Sequence, residues 1–400
     1  MKNFASRLAR VKPSAILALT RQSRELRAMG RDAIDLSIGE PDFDTPDNIK
    51  QAAIDAIQRG ETKYTEIHGS AELRDAIRAK FERDQGLVYS RDQITVAGGT
   101  KLIIFNAMMA TLDAGDEVII PAPYWTTYPD VVAIAEGVPV FVPCPQKHEF
   151  KLRPDDLEAA ITPRTKWLML NTPSNPTGSA YSRNDLAALG EVLDTHESVR
   201  ILTDDIYEHL VYDGFEFVTM AQAVPALAGR TLTLNGVSKA YAMTGWRLGY
   251  AGGPADLITA MGTVQQQSST HASSITQAAA LEALTGPQTI LQERLESFRR
   301  RRDLVVDALS AIEGLSCIRP NGTFFAYPSC EGLMGKRAPD GKAMESDQDF
   351  AAYLLESAGV AAVPGTAFGL SPHFRVSFAS STERLEEACE RIGRACAALR

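Results

Sequence analysis

The stretch ITVAGGTKLIIFNAMMATLDAGDEVII, residues 94–120, decides the fold. Ile94 to Val96 is a short apolar run, which reads as a buried strand. Gly98-Gly99-Thr100-Lys101 then opens a helix through Leu112, and Glu117 to Ile120 is a second apolar strand. The same alternation continues outward. Val138 to Val142, Lys166 to Leu170, Arg200 to Thr203 and Arg230 to Leu234 read as strands, with helical stretches between several of them. Buried strands alternating with helices predict an α/β fold, a mostly parallel central sheet with helices on both faces. Ligands in such sheets sit beyond the carboxyl ends of the strands. Gly99, Trp125, Asn175, Asp204 and Lys239 all fall just after predicted strands.

The flanks read differently. Residues 1–30 predict an arm and a helix, and Ile34 to Ile38 a short strand. Gly39 to Asp44 is a turn-rich loop. Thr45-Pro46 starts a helix that stops at Gly60, Tyr64 to Gly69 is a loop, and Glu72 to Gln85 is a helix. After about residue 288 a long charged helix (Gln288 to Ile312) leads to shorter strands. These are Leu315 to Ile318, Phe324 to Tyr327, Ala361 to Val363 and Phe374 to Phe378, followed by a helix from Ser381 to Leu399. The expectation is a large domain over 45–287 and a smaller, discontinuous α+β domain built from 1–44 and 288–400, in keeping with a length of 400 residues.

Composition narrows the function. Hydrophobic residues make up 44%, normal for a globular enzyme, and the net charge of −9 argues against a nucleic-acid binder. The five cysteines form no Cys-x-x-Cys pair, which predicts reduced structural thiols and no metal site. Cys389 and Cys396 fall on one face of a helix, where buried packing explains them. No apolar run is long enough to span a membrane. The first 24 residues carry several arginines and no acid, but read as mature chain and a cytoplasmic protein.

The chemistry centres on Asn235-Gly236-Val237-Ser238-Lys239, after an apolar strand. A lysine in crowded, partly apolar surroundings has a lowered pKa and can attack an aldehyde as a neutral amine. Arg247, eight residues on, offers a fork for a phosphate. Aldehyde and phosphate together describe pyridoxal phosphate, although Lys239 taken alone reads first as a surface lysine after a strand, and only the rest of the chain reverses that. Gly98 to Lys101 at a helix start suits an anion, and so does a plain capped helix. Asp204, in Thr203-Asp204-Asp205-Ile206-Tyr207, can hold a proton on a pyridine nitrogen or merely cap a helix. Asn175 and Tyr207 can reach a ring oxygen, and Trp125 can stack on a ring. Arg375, inside apolar Phe374-Arg375-Val376-Ser377-Phe378, needs a partner: a substrate carboxylate or an internal acid.

Together these residues resemble the fold type I pyridoxal-phosphate aminotransferases, most closely the bacterial aspartate and aspartate/prephenate branch. The resemblance runs from Lys12-Pro13-Ser14-Ala15 through Gly39-Glu40-Pro41-Asp42-Phe43-Asp44-Thr45-Pro46 to Arg375, and rests on Asn175-Pro176-Thr177-Gly178, Asp204 to Tyr207 and Ser238-Lys239 to Gly249 in that order. It implies that Lys239 carries the cofactor and moves the substrate proton, and that Asp204 binds the ring nitrogen. Tyr207 and Asn175 would bind the ring oxygen, Trp125 would stack, and Gly99, Thr100 and Arg247 would hold the phosphate. Tyr64 would reach the phosphate from the partner subunit of a homodimer. Arg375, Asn175 and the Gly39 backbone would take the α-carboxylate, Lys101 the distal carboxylate, and Lys12 would resemble the lysine of members that handle prephenate. Cis peptides are implied before Pro123 and Pro176. The substrates would be aspartate or glutamate with 2-oxoglutarate, oxaloacetate or prephenate. Aromatic specificity, elimination chemistry and a ligand-sensing regulator domain are the rival readings. Three departures stand out: Gly236 in place of a phosphate-binding serine, and His68 (with Glu66) and His271 in entrance loops, either solvent-exposed or tuning specificity.

Overall fold

The computed structural model describes residues 4–11, 15–30 and 32–400. The strands are β1 (Ile34–Asp35), β2 (Ile94–Ala97), β3 (Glu117–Ala122), β4 (Val138–Pro143), β5 (Thr165–Asn171), β6 (Arg200–Asp204), β7 (Thr231–Gly236), β8 (Gly249–Gly252), β9 (Phe325–Ala326), β10 (Val360–Ala361), β11 (Val363–Pro364) and β12 (Phe374–Ser377). Seven form one sheet in the order β2-β8-β7-β6-β5-β3-β4. All neighbours in it are parallel except β8, which runs against both β2 and β7. The apolar runs are continuous because the sheet is covered on both faces. Along β5, Trp167 and Met169 enter one core with Ile104 and Met108, while Leu168 and Leu170 enter the other with Leu186 and Leu189.

The predicted helix after Glu72 runs Ala71–Gln85. Ser70 caps it by accepting the Leu73 N–H at 3.2 Å, and Gly86 closes it in the left-handed region at φ 66°. A second body holds the antiparallel sheet β11-β12-β9, the parallel pair β1-β10, and the helices Thr289–Ser310 and Thr382–Ala397. Its core is continuous with the large sheet's loops: Phe298, Phe324 and Phe325 pack in one cluster with Ile206, Tyr207 and Leu210.

The structure corrects several expectations. The strand expected over 34–38 ends at Asp35; beyond it the Ser37 N–H goes to the Asp35 carboxylate at 2.9 Å and not to a neighbouring strand. The run 315–318 makes only a bridge, Ser316 to Ser329. The run 361–363 splits between β10 and β11, which pair with different strands. The Val138–Val142 strand is not buried but lies at the sheet edge, so Val138 and Phe141 stay exposed. β8 was not anticipated, because Gly249-Tyr250-Ala251-Gly252 carries no β-branched side chain. The peptides before Pro123 and Pro176 are cis as expected, and so are those before Pro173 and Pro372.

Candidate active site

A cleft of about 870 Å³ opens at the carboxyl ends of the parallel strands, between the two bodies. Strand β7 is wholly buried and delivers Lys239 to the cleft floor. The amine Nζ donates to the Gly39 carbonyl at 2.7 Å, across the seam between the bodies. Burial lowers its pKa to about 8, with Glu40 opposing the shift and Arg375 and Arg247 adding to it.

The unanticipated strand sets the anion end. Gly249 pairs with both Ala97 and Gly236, which lays β8 between β2 and β7. A Cβ on Gly249 would lie 2.4 Å from the Thr100 amide nitrogen, so only glycine lets the helix Thr100–Thr111 start so close. Arg247, just ahead of β8, takes φ 55°, and its Nη1 donates to the Thr244 carbonyl at 2.8 Å. Its Nη2 would be 2.4 Å from a Cβ on Gly99, whose own φ is 101°. The backbone at Gly99 is one that glycine adopts readily, and its missing Cβ leaves the room that the Arg247 guanidinium occupies. Free helix-start amides and a guanidinium face one spot, the requirement for binding a phosphate. Lys101 follows, its Nζ 5.1 Å over the Trp125 ring, with its pKa lowered by burial and by Arg247.

Asp204 ends β6. Its Oδ2 accepts the Tyr128 hydroxyl at 2.8 Å, while Oδ1 is buried without a partner. Burial raises the carboxyl to about 6. A buried acceptor facing a cleft without a donor is costly, and a protonated ring nitrogen could supply the missing N–H. Tyr207, one turn on, lines the same wall, its phenol held neutral by burial.

Arg375, 1% exposed, sits at the far end on β12. Its Nη1 donates to Asn175 Oδ1 at 2.8 Å and its Nη2 to the Ser37 carbonyl. Phe325 and Phe368 cover its faces, with ring centroids 4.3 and 5.0 Å away. The internal acid considered for it is absent: among the described residues no carboxylate forms an ion pair with it, and its Nε has no hydrogen-bond partner. A buried guanidinium held only by neutral acceptors is poised for an anion.

The cleft thus brings together Gly39, Thr100, Lys101, Trp125, Asn175, Asp204, Tyr207, Lys239, Arg247 and Arg375, with Gly99 against Arg247. Lys12 lies outside the described residues. Tyr64 is not in its own chain's cleft; it is 90% exposed, with its ring against His271. The loop residues of uncertain role point elsewhere. The His68 Nδ1 lies 2.9 Å from Thr95 Oγ1 and its ring packs over Gly262; Glu66 pairs with Arg74; the His271 Nδ1 is 2.6 Å from the Ala272 carbonyl. None of the three lines the cleft of its own chain. Sequence reasoning missed Tyr128, whose buried phenol signals a need for a partner without naming it, and Ser37, which acts through its carbonyl.

Set end to end, the groups are helix-start amides beside a guanidinium, a buried amine, a buried carboxylate and a second guanidinium that, among the described residues, has no carboxylate partner. They fit pyridoxal phosphate with a carboxylate substrate beside it. The comparisons agree. The family model for aminotransferases of class I and II matches residues 31–392. The aspartate aminotransferase of Rhizobium meliloti is 58% identical over 98% of this chain and 96% of its own. The aspartate/prephenate aminotransferase of Cereibacter sphaeroides is 57% identical over the full length of both. A crystal structure of the Rhizobium meliloti aspartate aminotransferase matches with a TM-score of 0.98, covering 100% of both chains. That of the Thermus thermophilus aspartate aminotransferase with maleate matches at 0.91 and 42% identity, covering 99% of this chain and 100% of the other.

Proposed function

The chain belongs to the class I and II aminotransferases, enzymes dependent on pyridoxal phosphate, and from that premise we propose that it moves the amino group of a dicarboxylic amino acid to a 2-oxo acid. Aspartate and glutamate are the proposed donors; 2-oxoglutarate, oxaloacetate and prephenate are the proposed acceptors. Support comes from the names of the relatives and from a cleft lined by two cations, Arg375 and Lys101. The unpaired Arg375 is the observation that carries the reading.

When bound, the cofactor supplies an aldehyde that joins the amine and a ring that stores the electrons of the broken Cα–H bond. The residues do the rest. Arg375 takes the α-carboxylate in a bidentate grip, with Asn175 and the Gly39 backbone beside it. That fixes which bond of Cα faces Lys239. The neutral amine of Lys239, more accessible than that of an ordinary lysine because burial lowers its pKa to about 8, removes the proton from one face and returns it. Asp204 stays ionised against the ring N–H and keeps that nitrogen protonated, while Tyr128 holds the carboxylate in line. Asn175 and Tyr207 hold the ring oxygen, Trp125 covers the ring, and Gly99, Thr100 and Arg247 hold the phosphate. Lys101 selects a distal carboxylate, and Lys12 contributes when prephenate is the substrate.

Residues 45–287 act as the cofactor-binding domain, and 1–44 with 288–400 as a smaller domain that closes over the substrate, since Arg375 and Gly39 stand on one and Lys239 on the other. Two copies share their sites, the exposed Tyr64 of each reaching the phosphate of the other. A cytoplasmic setting is in keeping with five free thiols and with the lack, among the described residues, of a helix long and apolar enough to cross a membrane. The deciding experiment is a spectral titration of the cofactor-loaded protein. The visible band should bleach with L-aspartate and L-glutamate and return with 2-oxoglutarate or prephenate. Bleaching by an aromatic donor alone would overturn the dicarboxylate specificity; an enzyme that eliminates would never bleach stably.

A further inference from the structure

Behind the Asp204–Tyr207 turn lies a charged cluster with no place in the chemistry above. Lys80 is wholly buried, and its Nζ makes a close ion pair with Glu208 Oε1. The other oxygen, Oε2, accepts from Gln85 Nε2. His209 Nε2 stands 3.2 Å from Oε1, and Asp84 Oδ2 lies 3.7 Å from Lys80 and 3.9 Å from His209. Asp84, Glu208 and His209 are a ligand set a metal ion could use, but the Lys80 ammonium already sits among them as the cation.

Burying such a pair is expensive, and a well-packed apolar pair would serve stability as well or better. Its position suggests what it does instead. Glu208 is welded to the turn: its N–H donates to the Asp205 carbonyl at 3.0 Å, and the Leu210 N–H to Tyr207 at 2.8 Å. Asp204 and Tyr207 face the cleft from the front of this turn, and Glu208 leaves from its back. Lys80 and Gln85 come from the helix Ala71–Gln85, which follows directly on the loop bearing Tyr64.

We infer that Lys80 and Glu208 are positioning residues: their buried pair clamps the turn bearing Asp204 and Tyr207 to the helix Ala71–Gln85, and so fixes the two groups that hold the cofactor ring. The inference rests on the proposed roles of Asp204 and Tyr207. A fixed supporting layer behind groups that touch a ligand sets how tightly and in what orientation they hold it. Removing one partner leaves a buried charge and unsettles the fold, so the decisive variant removes both: Lys80→Met with Glu208→Leu.

The measurement is equilibrium binding of pyridoxal phosphate to the cofactor-stripped protein, with a pH titration of the visible band and a thermal melt. The double variant should melt close to the wild type, yet bind the cofactor about tenfold more weakly and titrate its band at a displaced pH, as happens when supporting partners of site groups are lost. Unchanged affinity and an unchanged band midpoint in a folded double variant would overturn the inference and leave the pair a packing feature. If that double variant yields no folded protein, Lys80→Met with Glu208→Gln still removes the ion pair while keeping an amide for Gln85 to bond; normal cofactor binding in that folded variant overturns the inference equally. A wild type that shows no visible band at all sinks the functional reading and with it the premise of the clamp, whereas a normal wild-type band with an unaffected double variant overturns the clamp alone.

Discussion

The lowered pKa of Lys239 makes the loading of the protein pH-dependent in a stated direction. The nucleophile is the neutral amine, which predominates above about pH 8 and is scarce below. Cofactor attachment to the stripped protein should therefore accelerate as pH rises, level off above that value, and vanish in Lys239→Ala; stopped-flow absorbance from pH 6 to 10 reads it. A rate flat across that range would place the amine in a different environment from the one described. Arg375 carries a second prediction. Its fork satisfies Asn175 and Ser37 at once, which a lysine's point charge cannot do while also gripping a carboxylate. Two charge-assisted hydrogen bonds at about 1.5–3 kcal/mol each put the loss of kcat/KM in Arg375→Lys at about 10²-fold or more. Cofactor binding should be untouched. Both residues were legible in the sequence, since a lysine after a buried strand and an arginine inside an apolar one violate ordinary patterning. Tyr128 was not, because a buried tyrosine is ordinary and its partner lies 76 positions away.

At the scale of elements, the parallel strands could be read because their apolar runs are continuous and both faces are buried. The strand β8 could not. It is made of Gly249, Tyr250, Ala251 and Gly252, and small residues in a strand reflect close approach by a neighbour, which only the folded chain supplies. That strand nonetheless sets where Arg247 stands. Gly249→Ala places a Cβ 2.4 Å from the Thr100 nitrogen, backbone that cannot step aside without moving the helix start. Overpacking of this kind costs about 1–3 kcal/mol. The variant should melt lower and bind free phosphate and cofactor more weakly. Gly245→Ala is the control, because nothing lies within 4 Å of its Cβ position. Equal cofactor affinity in the two variants would disconnect β8 from the anion site. The histidine loops show the opposite kind of misreading. His68 looked free to face the entrance, but Thr95 and Gly262 hold it on the far side of β2, contacts that sequence spacing does not encode.

At the scale of the whole molecule, Tyr64 is a described side chain whose place its own fold does not explain. Tyr64 is 90% exposed and does not line its own chain's cleft, yet it lies on the loop that leads into the helix Ala71–Gln85. An exposed tyrosine costs little by itself, so exposure alone is no argument. The proposed phosphate cradle, however, lies within one chain while its proposed tyrosine does not, and a two-fold dimer would supply the missing group to both sites symmetrically. Hybrids test this directly. Lys239→Ala destroys the amine of its own site but leaves its Tyr64 intact for a partner. Tyr64→Phe spoils the partner's phosphate site but leaves its own Lys239 intact. Mixed and allowed to exchange, half the dimers become hybrids, and each hybrid has one site with both groups and one with neither. About a quarter of all sites are then whole, so activity at limiting cofactor should rise toward about a quarter of the wild-type value. If Tyr64 served only its own chain, every site in the mixture would still lack one group or the other, and mixing would recover nothing.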